Sequence, residues 1–359
     1  MTRGVTCKVG RQLLATGNSA RQLFEMSAEE LKELDCKLSP ATIEHLLSHE
    51  GFVQAETEMA FIERNHITAL CCNDERYPQR LNRKECTDTP FVLYYKGNAD
   101  LNKKHIISMV GTRKATAYGQ CMTERIVSEL QGEDMLIVSG LAYGIDTAAH
   151  QSSLNHQLAT VGVLGHGMDL LYPAQNRQLA RSMVDGNGGL LTEYPSGTKM
   201  HPSLFPARNR IIAALSDATI VVEAAETGGA LLTAGMASGY QRDVFAVPGR
   251  LDDEYSKGCN NLIADNKAFI IRGASDLGFI MGWKLNHTTT YTEQQQKLFT
   301  ELSEQEQSIV TILQNEGEMT IDEIVTKSEQ SLPKIATIML SLELKMIVKC
   351  LAGKKYKVL

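Results

Sequence analysis

Short apolar runs alternate with amphipathic segments from about Lys104 to residue 283. The runs at 105–110, 135–139, 160–164, 189–193, 218–223, 243–247 and 268–271 are rich in Val, Ile and Leu. They lack a period of two, as strands covered on both faces do. Segments near 117–131, 145–157, 175–185, 208–215, 229–240 and 260–265 read as helices between them. Repeated β-α-β order predicts an α/β fold, a Rossmann-like parallel sheet with helices on both faces. Residues 1–75 read as a small helical domain, with a capping box at Ser27-Ala-Glu-Glu30 and turns at Gly17-Asn18 and Ser39-Pro40. Residues 284–300 are polar and aperiodic, a linker. Residues 301–359 pattern as helices near 303–314, 320–327 and 332–345 and strands at 346–350 and 355–358, the layout of a winged-helix domain. The predicted divisions are 1–75, 76–283, 284–300 and 301–359.

Charge changes this picture by place rather than by total. The chain of 359 residues carries a formal charge of −6. Residues 1–75 hold 7 basic and 12 acidic side chains, and residues 76–283 hold 20 of each. Any polyanion site is therefore a local patch, not a global field. The eight cysteines form no C-x-x-C pair and read as free thiols, with no metal site expected. No apolar run approaches the ~20 residues that span a bilayer, and the first residues carry no signal-peptide core. A cytoplasmic protein without membrane contact is the expectation.

Candidate chemistry gathers at strand ends. Ser139-Gly-Leu-Ala-Tyr-Gly-Ile-Asp146 joins a strand to a helix. Gly140 and Gly144 allow close backbone approach there, and the helix start offers free amides to an anion. Asp146 and His150 stand four apart, a spacing at which they pair on one helix face. His166 has no acid or nucleophile beside it in sequence. Met109-Val-Gly-Thr-Arg113 ends another strand, with Gly111 in the turn and Arg113 offering a planar donor fork. The stretch 194–216 contains no acidic residue but carries Lys199, His201, Arg208 and Arg210. Within it Phe205-Pro-Ala-Arg-Asn-Arg210 opens a helix. Arg208 and Arg210 there suit adjacent phosphates, Asn209 lies between them, and Phe205 offers a face for a base. Glu223-Ala-Ala-Glu-Thr-Gly-Gly-Ala230 leaves a further strand, with Gly228 and Gly229 able to line the same crevice.

These motifs, in this order, resemble the DNA-processing protein family DprA, also called Smf. The resemblance is carried by Val110-Gly-Thr-Arg113, Ser139-Gly-Leu-Ala-Tyr-Gly-Ile-Asp-Thr-Ala-Ala-His150, Phe205-Pro-Ala-Arg-Asn-Arg-Ile-Ile212 and Gly229-Ala-Leu-Leu-Thr-Ala234. It runs from about Tyr77-Pro78 to Arg272. It implies sequence-independent binding of single-stranded DNA, protection of incoming DNA in natural transformation, loading of the recombinase RecA, and a homodimer formed through the core. Carried over, the DNA-contacting positions are Arg113, Ser139, Gly140, Lys199, Phe205, Arg208, Asn209 and Arg210, with Gly111, Gly144, Gly228 and Gly229 supporting the phosphate loops. It implies no cofactor and no catalytic residue. Two departures stand out. Gly4-Val-Thr-Cys-Lys-Val-Gly10 comes almost at once, so the SAM-like or helix-hairpin-helix-like N-terminal domain reads as lacking its first helix. The third C-terminal helix carries only Lys334 and Lys345 as basic residues, which favours a partner-binding or regulatory role over reading duplex DNA.

Two enzyme readings compete. Nucleotide-binding phosphoribohydrolase-like proteins of a related Rossmann-like group carry P-G-G-x-G-T-x-x-E. Aligning Gly228-Gly229 with that motif puts Leu231 at its third glycine and Gly235 at its glutamate, so the acid-base carboxylate is missing. A dinucleotide-dependent oxidoreductase would need the strict G-x-G-x-x-G and an acidic residue for ribose, and neither is present.

Overall fold

Side-chain caps set the first helices. Thr6, Ser19, Ser27 and Ser39 each accept the amide three residues on, satisfying donors that a helix start leaves unpaired. They open α1 (Cys7–Ala15), α2 (Ala20–Glu25), α3 (Ala28–Glu33) and α4 (Pro40–Leu47), and α5 (Gly51–Arg64) follows. The predicted Ser27–Glu30 box is formed in both directions. The computed structural model describes residues 4–34, 36, 38–285, 302–328, 330–345, 347–351 and 355–358. The chain divides into two compact units, 1–286 and 287–359.

In the first unit β1 (Thr68–Cys71), β2 (Val92–Gly97), β3 (His105–Val110), β4 (Met135–Ser139), β5 (Ala159–Val163), β6 (Gly188–Thr192), β7 (Ala218–Val221), β8 (Asp243–Ala246) and β9 (Phe269–Ile270) form one sheet. Its order is β1-β2-β6-β5-β4-β3-β7-β8-β9. Pairing is parallel from β6 through β9, and β1 and β2 extend it antiparallel. The parallel core is the architecture that the apolar runs predict. Every residue of β4, β5 and β6 is buried, which is why those runs show no alternation. The added strand β2 is half-buried by alternation, as an antiparallel strand near an edge is.

Helices α6 (Ala117–Glu129), α7 (Ile145–Asn155), α8 (Arg177–Asp185), α9 (Leu204–Leu215), α10 (Gly229–Gly239), α11 (Lys257–Ala264) and α12 (Ala274–Met281) cover the sheet. Neighbouring residues of one strand feed opposite cores. Ile106 packs with Leu136, Val161 and Ile211, and Ile107 packs with Ile126, Ile137 and Phe245. The N-terminal helices are tied to this unit by Arg11, which donates to Asn82 Oδ1 at 2.8 Å and Pro90 O at 3.0 Å.

The order of connection places the site. The chain runs outward from β3 through β4, β5 and β6, then returns to lay β7 on the other flank of β3. The loops leaving β3 and β7 diverge there, and a crevice opens beyond their carboxyl ends.

The second unit packs α13 (Glu304–Glu316), α14 (Ile321–Ser328) and α15 (Leu332–Leu344) around Ile309, Leu313, Ile324, Ile335 and Leu342. A small sheet accompanies them, with β10 (Met319–Thr320), β11 (Val348–Leu351) and β12 (Lys355–Val358) in the order β10-β12-β11. Glu306 accepts Lys345 Nζ at 2.8 Å and Ser341 Oγ at 2.6 Å. Led by the Lys345 contact, these bonds pull its carboxyl down to about 2. From residue 286 on, the predicted linker lies outside the described residues.

Candidate functional site

A crevice of about 460 Å³ opens where β3 and β7 end, between residues 110–114, the start of α9 and the turn at 227–230. It continues into a more open trough of about 840 Å³ beside Tyr172, Pro202, Leu231 and Leu232. Arg113, Phe205, Pro206, Thr227, Gly228 and Gly229 line both parts. Of the residues singled out in the sequence, Gly111, Arg113, Phe205, Arg208, Asn209, Gly228 and Gly229 thus meet at one switch point.

Arg113 is exposed on a loop that is pinned at both ends. The Thr112 amide donates to Glu223 O at 2.8 Å, and the Ile145 amide donates to Thr112 O at 3.2 Å. The Glu223 carboxylate, fully buried, accepts the Thr116 amide at 2.9 Å and the Thr116 hydroxyl. Glu223 therefore fixes both the backbone and the helix start around Arg113. The guanidinium carbon stands 5.9 Å from the centroid of the Phe205 ring, within cation–π range. An exposed cation and a half-buried ring, whose centroid lies 5.7 Å from that of Tyr172, share the rim.

Arg208 and Arg210 part company. Arg208 is 4% exposed and forms the crevice floor. It donates to Gly140 O at 2.6 Å and to Val163 O, and its Nε donates to Asn209 Oδ1 at 3.1 Å. Burial pulls its pKa down to about 10, against the charge of Asp146, which raises it. Arg210 turns the other way and donates to both Glu193 oxygens at 2.7 and 2.6 Å. Burial acts to lower its pKa, but the bonds and charge of Glu193 outweigh that and raise it. Two arginines gripping adjacent phosphates side by side is not what α9 presents. An α-helix turns 100° per residue, so positions two apart face opposite sides. Asn209 reaches toward the glycine turn, its Nδ2 donating to Gly229 O at 3.4 Å.

The Ser139–Gly144 turn is closed from within. Ser139 is fully buried and donates to Met109 O at 2.6 Å. The Gly140 and Ala142 amides donate to Asp146 Oδ2 at 3.1 and 3.3 Å. Any Cβ at Gly140 would lie 2.7 Å from both Arg208 Nη2 and Asp146 Oδ2, so the two charged groups flank it. Gly144 takes φ 77°, with the Thr112 carbonyl 2.2 Å from the place of a Cβ, which only glycine accommodates. Burial raises the Asp146 pKa, opposed by Arg208. The pairing of Asp146 with His150 suggested by their spacing is not formed. His150 Nδ1 instead lies 2.7 Å from Thr160 Oγ1, which donates onward to Ile137 O at 3.1 Å. Thr160 has one proton to give, so Nδ1 carries the imidazole proton, and Nε2 is buried without a hydrogen-bond partner among the described residues. Burial first and Arg208 second push His150 down to about 3. His166 is likewise buried, its Nε2 accepting the Tyr172 amide at 3.2 Å.

Lys199 is exposed and does not line the crevice. The turn that precedes it is held by Glu58 of α5, whose carboxylate accepts the Ser196 amide at 2.9 Å and the Ser196 hydroxyl. Glu58, Glu223, Tyr172 and the closing of the Gly140–Ala142 turn by Asp146 were not among the predicted site residues. Asp146 left a signal as an acid six residues past Gly140 at a helix start, and Glu223 as the first residue of the motif that leaves β7. Among the described residues no group of three or more His, Cys, Asp or Glu could hold a metal ion, and no helix is long and apolar enough to cross a membrane.

The parallel sheet and its switch-point crevice define the fold. Residues 66–282 match the DNA recombination-mediator protein A family, and the chain belongs to it. Relatives include Protein Smf of Synechocystis sp., 40% identical over 62% of this chain and 60% of that protein. The DNA processing protein DprA of Streptococcus pneumoniae is 40% identical over 56% of this chain and 70% of its own length. The chain thus spans less than two thirds of the Synechocystis relative. Among solved structures, the X-ray structure of DNA processing protein A from Streptococcus pneumoniae superposes with a TM-score of 0.61 at 32% identity, covering 76% of this chain and 96% of that one. DNA processing protein A from Helicobacter pylori, described for its single-stranded DNA binding mode, gives 0.54 at 28% identity, covering 61% and 97%.

Proposed function

We propose that this chain binds single-stranded DNA through its backbone phosphates, without strong sequence preference, in the crevice between β3 and β7. The observation that carries the reading is the pairing of Arg113 with Phe205 at the rim. An exposed guanidinium meets a phosphate and the adjacent ring meets a base, the two elements that single-strand sites combine. The single-stranded DNA binding mode described for the Helicobacter pylori relative supports it. Arg208 supplies positive potential from the floor, Asn209 with Gly228 and Gly229 shapes the wall, and Lys199 extends the path outside. Ser139, Gly140, Gly111 and Gly144 act through the backbone, and Arg210 acts by holding α9 to Glu193.

In the cell this activity protects incoming DNA and passes it to the recombinase RecA in natural transformation and recombination, with the protein acting as a cytoplasmic homodimer and not as an enzyme. The helical region 1–75 braces the core domain 76–283, and the C-terminal unit is a winged helix that contacts a partner.

The test is binding of labelled oligo-dT and of a duplex of equal length across a salt series. Single strand is expected to bind more tightly, with affinity falling steeply as salt rises. Equal affinity for both, or none for oligo-dT, overturns the reading.

A further inference from the structure

The turn entering α7 has the shape of an anion site, and the chain's own carboxylate already fills it. Leu141 is buried at φ 57°, a left-handed setting that a leucine takes only when its surroundings impose it. A left-handed residue in such a turn aims neighbouring amides at one point, the concavity that holds phosphate in many proteins. Here the point of convergence is Asp146 Oδ2, with Gly140 N at 3.1 Å and Ala142 N at 3.3 Å. Ala142 and Asp146 both line the crevice, so the concavity faces the ligand's side. On its other side Arg208 donates to the carbonyl of the same Gly140. The turn entering α10 is instead exposed at Gly228 and Gly229, which line the crevice.

We infer that Asp146 is a specificity-determining residue of the crevice. Its carboxylate stands where a phosphate monoester would sit. Free phosphate and the terminal phosphates of a mononucleotide are refused there, and a polynucleotide is held by phosphates crossing the rim at Arg113. The inference rests on the proposed backbone-binding role of the crevice, but its test uses no DNA.

The experiment compares thermal unfolding of the full chain and its Asp146→Ala variant in sodium phosphate and in sodium chloride of equal ionic strength. Phosphate stabilises most proteins by exclusion from their surface, so the quantity read is the extra rise in the variant. Removing the carboxylate empties the concavity, and phosphate is expected to raise the variant's Tm by roughly 2–4 °C more than the wild type's, as for a ligand about tenfold above its Kd. Asp146→Asn keeps an acceptor in place and is expected to show no such gain. Equal rises in wild type and Asp146→Ala overturn the inference. If Asp146→Ala fails to fold, the amide resonances of Gly140 and Ala142 in the wild type decide. They are expected to stay put when inorganic phosphate is added, and saturable movement overturns the inference. Phosphate rescue of the variant in a protein that ignores oligo-dT would retire the DNA reading and keep the role of Asp146 as internal anion.

Discussion

Two glycine turns lead from neighbouring regions of one sheet into helices beside one crevice, and they do opposite things. The turn at 140–144, before α7, is packed and internally liganded, with Asp146 on its amides and Arg208 on its carbonyl. The turn at 228–229, before α10, is exposed and lines the crevice wall. In sequence both read as phosphate loops. The difference teaches that glycines at a helix start provide only the backbone shape. Whether a ligand can use that shape depends on whether the chain's own groups already occupy the amides, as Asp146 does at 140 and 142. The open turn is flanked by Arg113 and Phe205, and the filled one supports them from beneath.

The largest expected effect breaks the filled turn. Arg208→Met removes the buried donor to Gly140 O and Val163 O and leaves the Asp146 charge without its cation. Each buried acceptor left unsatisfied costs about 1–3 kcal/mol, and two carbonyls lose their donor here, so urea unfolding should show a loss of about 2–5 kcal/mol. A loss below about 1 kcal/mol, the scale of a surface ion pair, would mean that Arg208 is not part of an internal framework. By the same comparison Arg113→Ala, at the open rim, should leave the unfolding midpoint unchanged.

Next comes a dependence on pH inside the filled region. His150 is held neutral, with its pKa pushed from an ordinary 6.5 to about 3 by burial and by Arg208. Between those values the unfolded chain binds a proton that the folded chain refuses. The stability concerned is fully present above pH 6.5 and is lost as pH falls toward 3, at up to about 1.4 kcal/mol per pH unit. His105 is also lowered by burial and adds a contribution of the same sign. His150→Asn keeps a donor for Thr160 but cannot titrate, so it should flatten the slope of stability between about pH 4.5 and 6.5, a range above ordinary carboxyl pKa values. An unchanged slope would place the effect elsewhere.

How much of this was legible in the sequence follows from the range of each interaction. The parallel strands were readable because burial on both faces leaves a local signature, as in Leu136-Ile-Val138. Strands β1 and β2 were not, because their apolar residues alternate in short stretches and β2, which carries β1, joins the sheet through β6 about a hundred residues away. The turns and the gathering of Arg113, Phe205 and Gly228 were readable because strand ends in such a sheet converge. The fate of each arginine was not. Arg210 is claimed by Glu193 and Arg208 by two carbonyls, and neither choice is encoded near the arginine itself. Glu58 is the extreme case, gripping Ser196 from 138 positions away.

At the open rim the expected effects are on binding, not folding. Arg113→Ala removes one phosphate contact and a cation beside Phe205. Oligo-dT affinity should fall about tenfold, near 1.4 kcal/mol, and the slope of log affinity against log salt should drop by about one. Arg210→Ala should leave that slope intact, because the guanidinium is already neutralised by Glu193. If Arg210→Ala flattened the salt slope and Arg113→Ala did not, the roles of the two would be exchanged.

The smallest effect gives the sharpest contrast between the turns, because one chemical change is made at both. A methyl at Gly144 meets the Thr112 carbonyl at 2.2 Å on a backbone with φ 77°, whereas at Gly229 it meets Asn209 Nδ2 at an ordinary 3.8 Å. Gly229 begins α10 without a left-handed φ, so alanine there forfeits nothing in the folded state and narrows the unfolded ensemble. Gly229→Ala should change stability by less than about 1 kcal/mol, on the stabilising side. Gly144→Ala should destabilise by clearly more than that. The methyl at 229 nonetheless projects beside the crevice wall. A folded, slightly stabilised Gly229→Ala protein that binds oligo-dT less well would mark the open turn as ligand-facing. Unchanged binding would confine the ligand to the Arg113 and Phe205 side of the crevice.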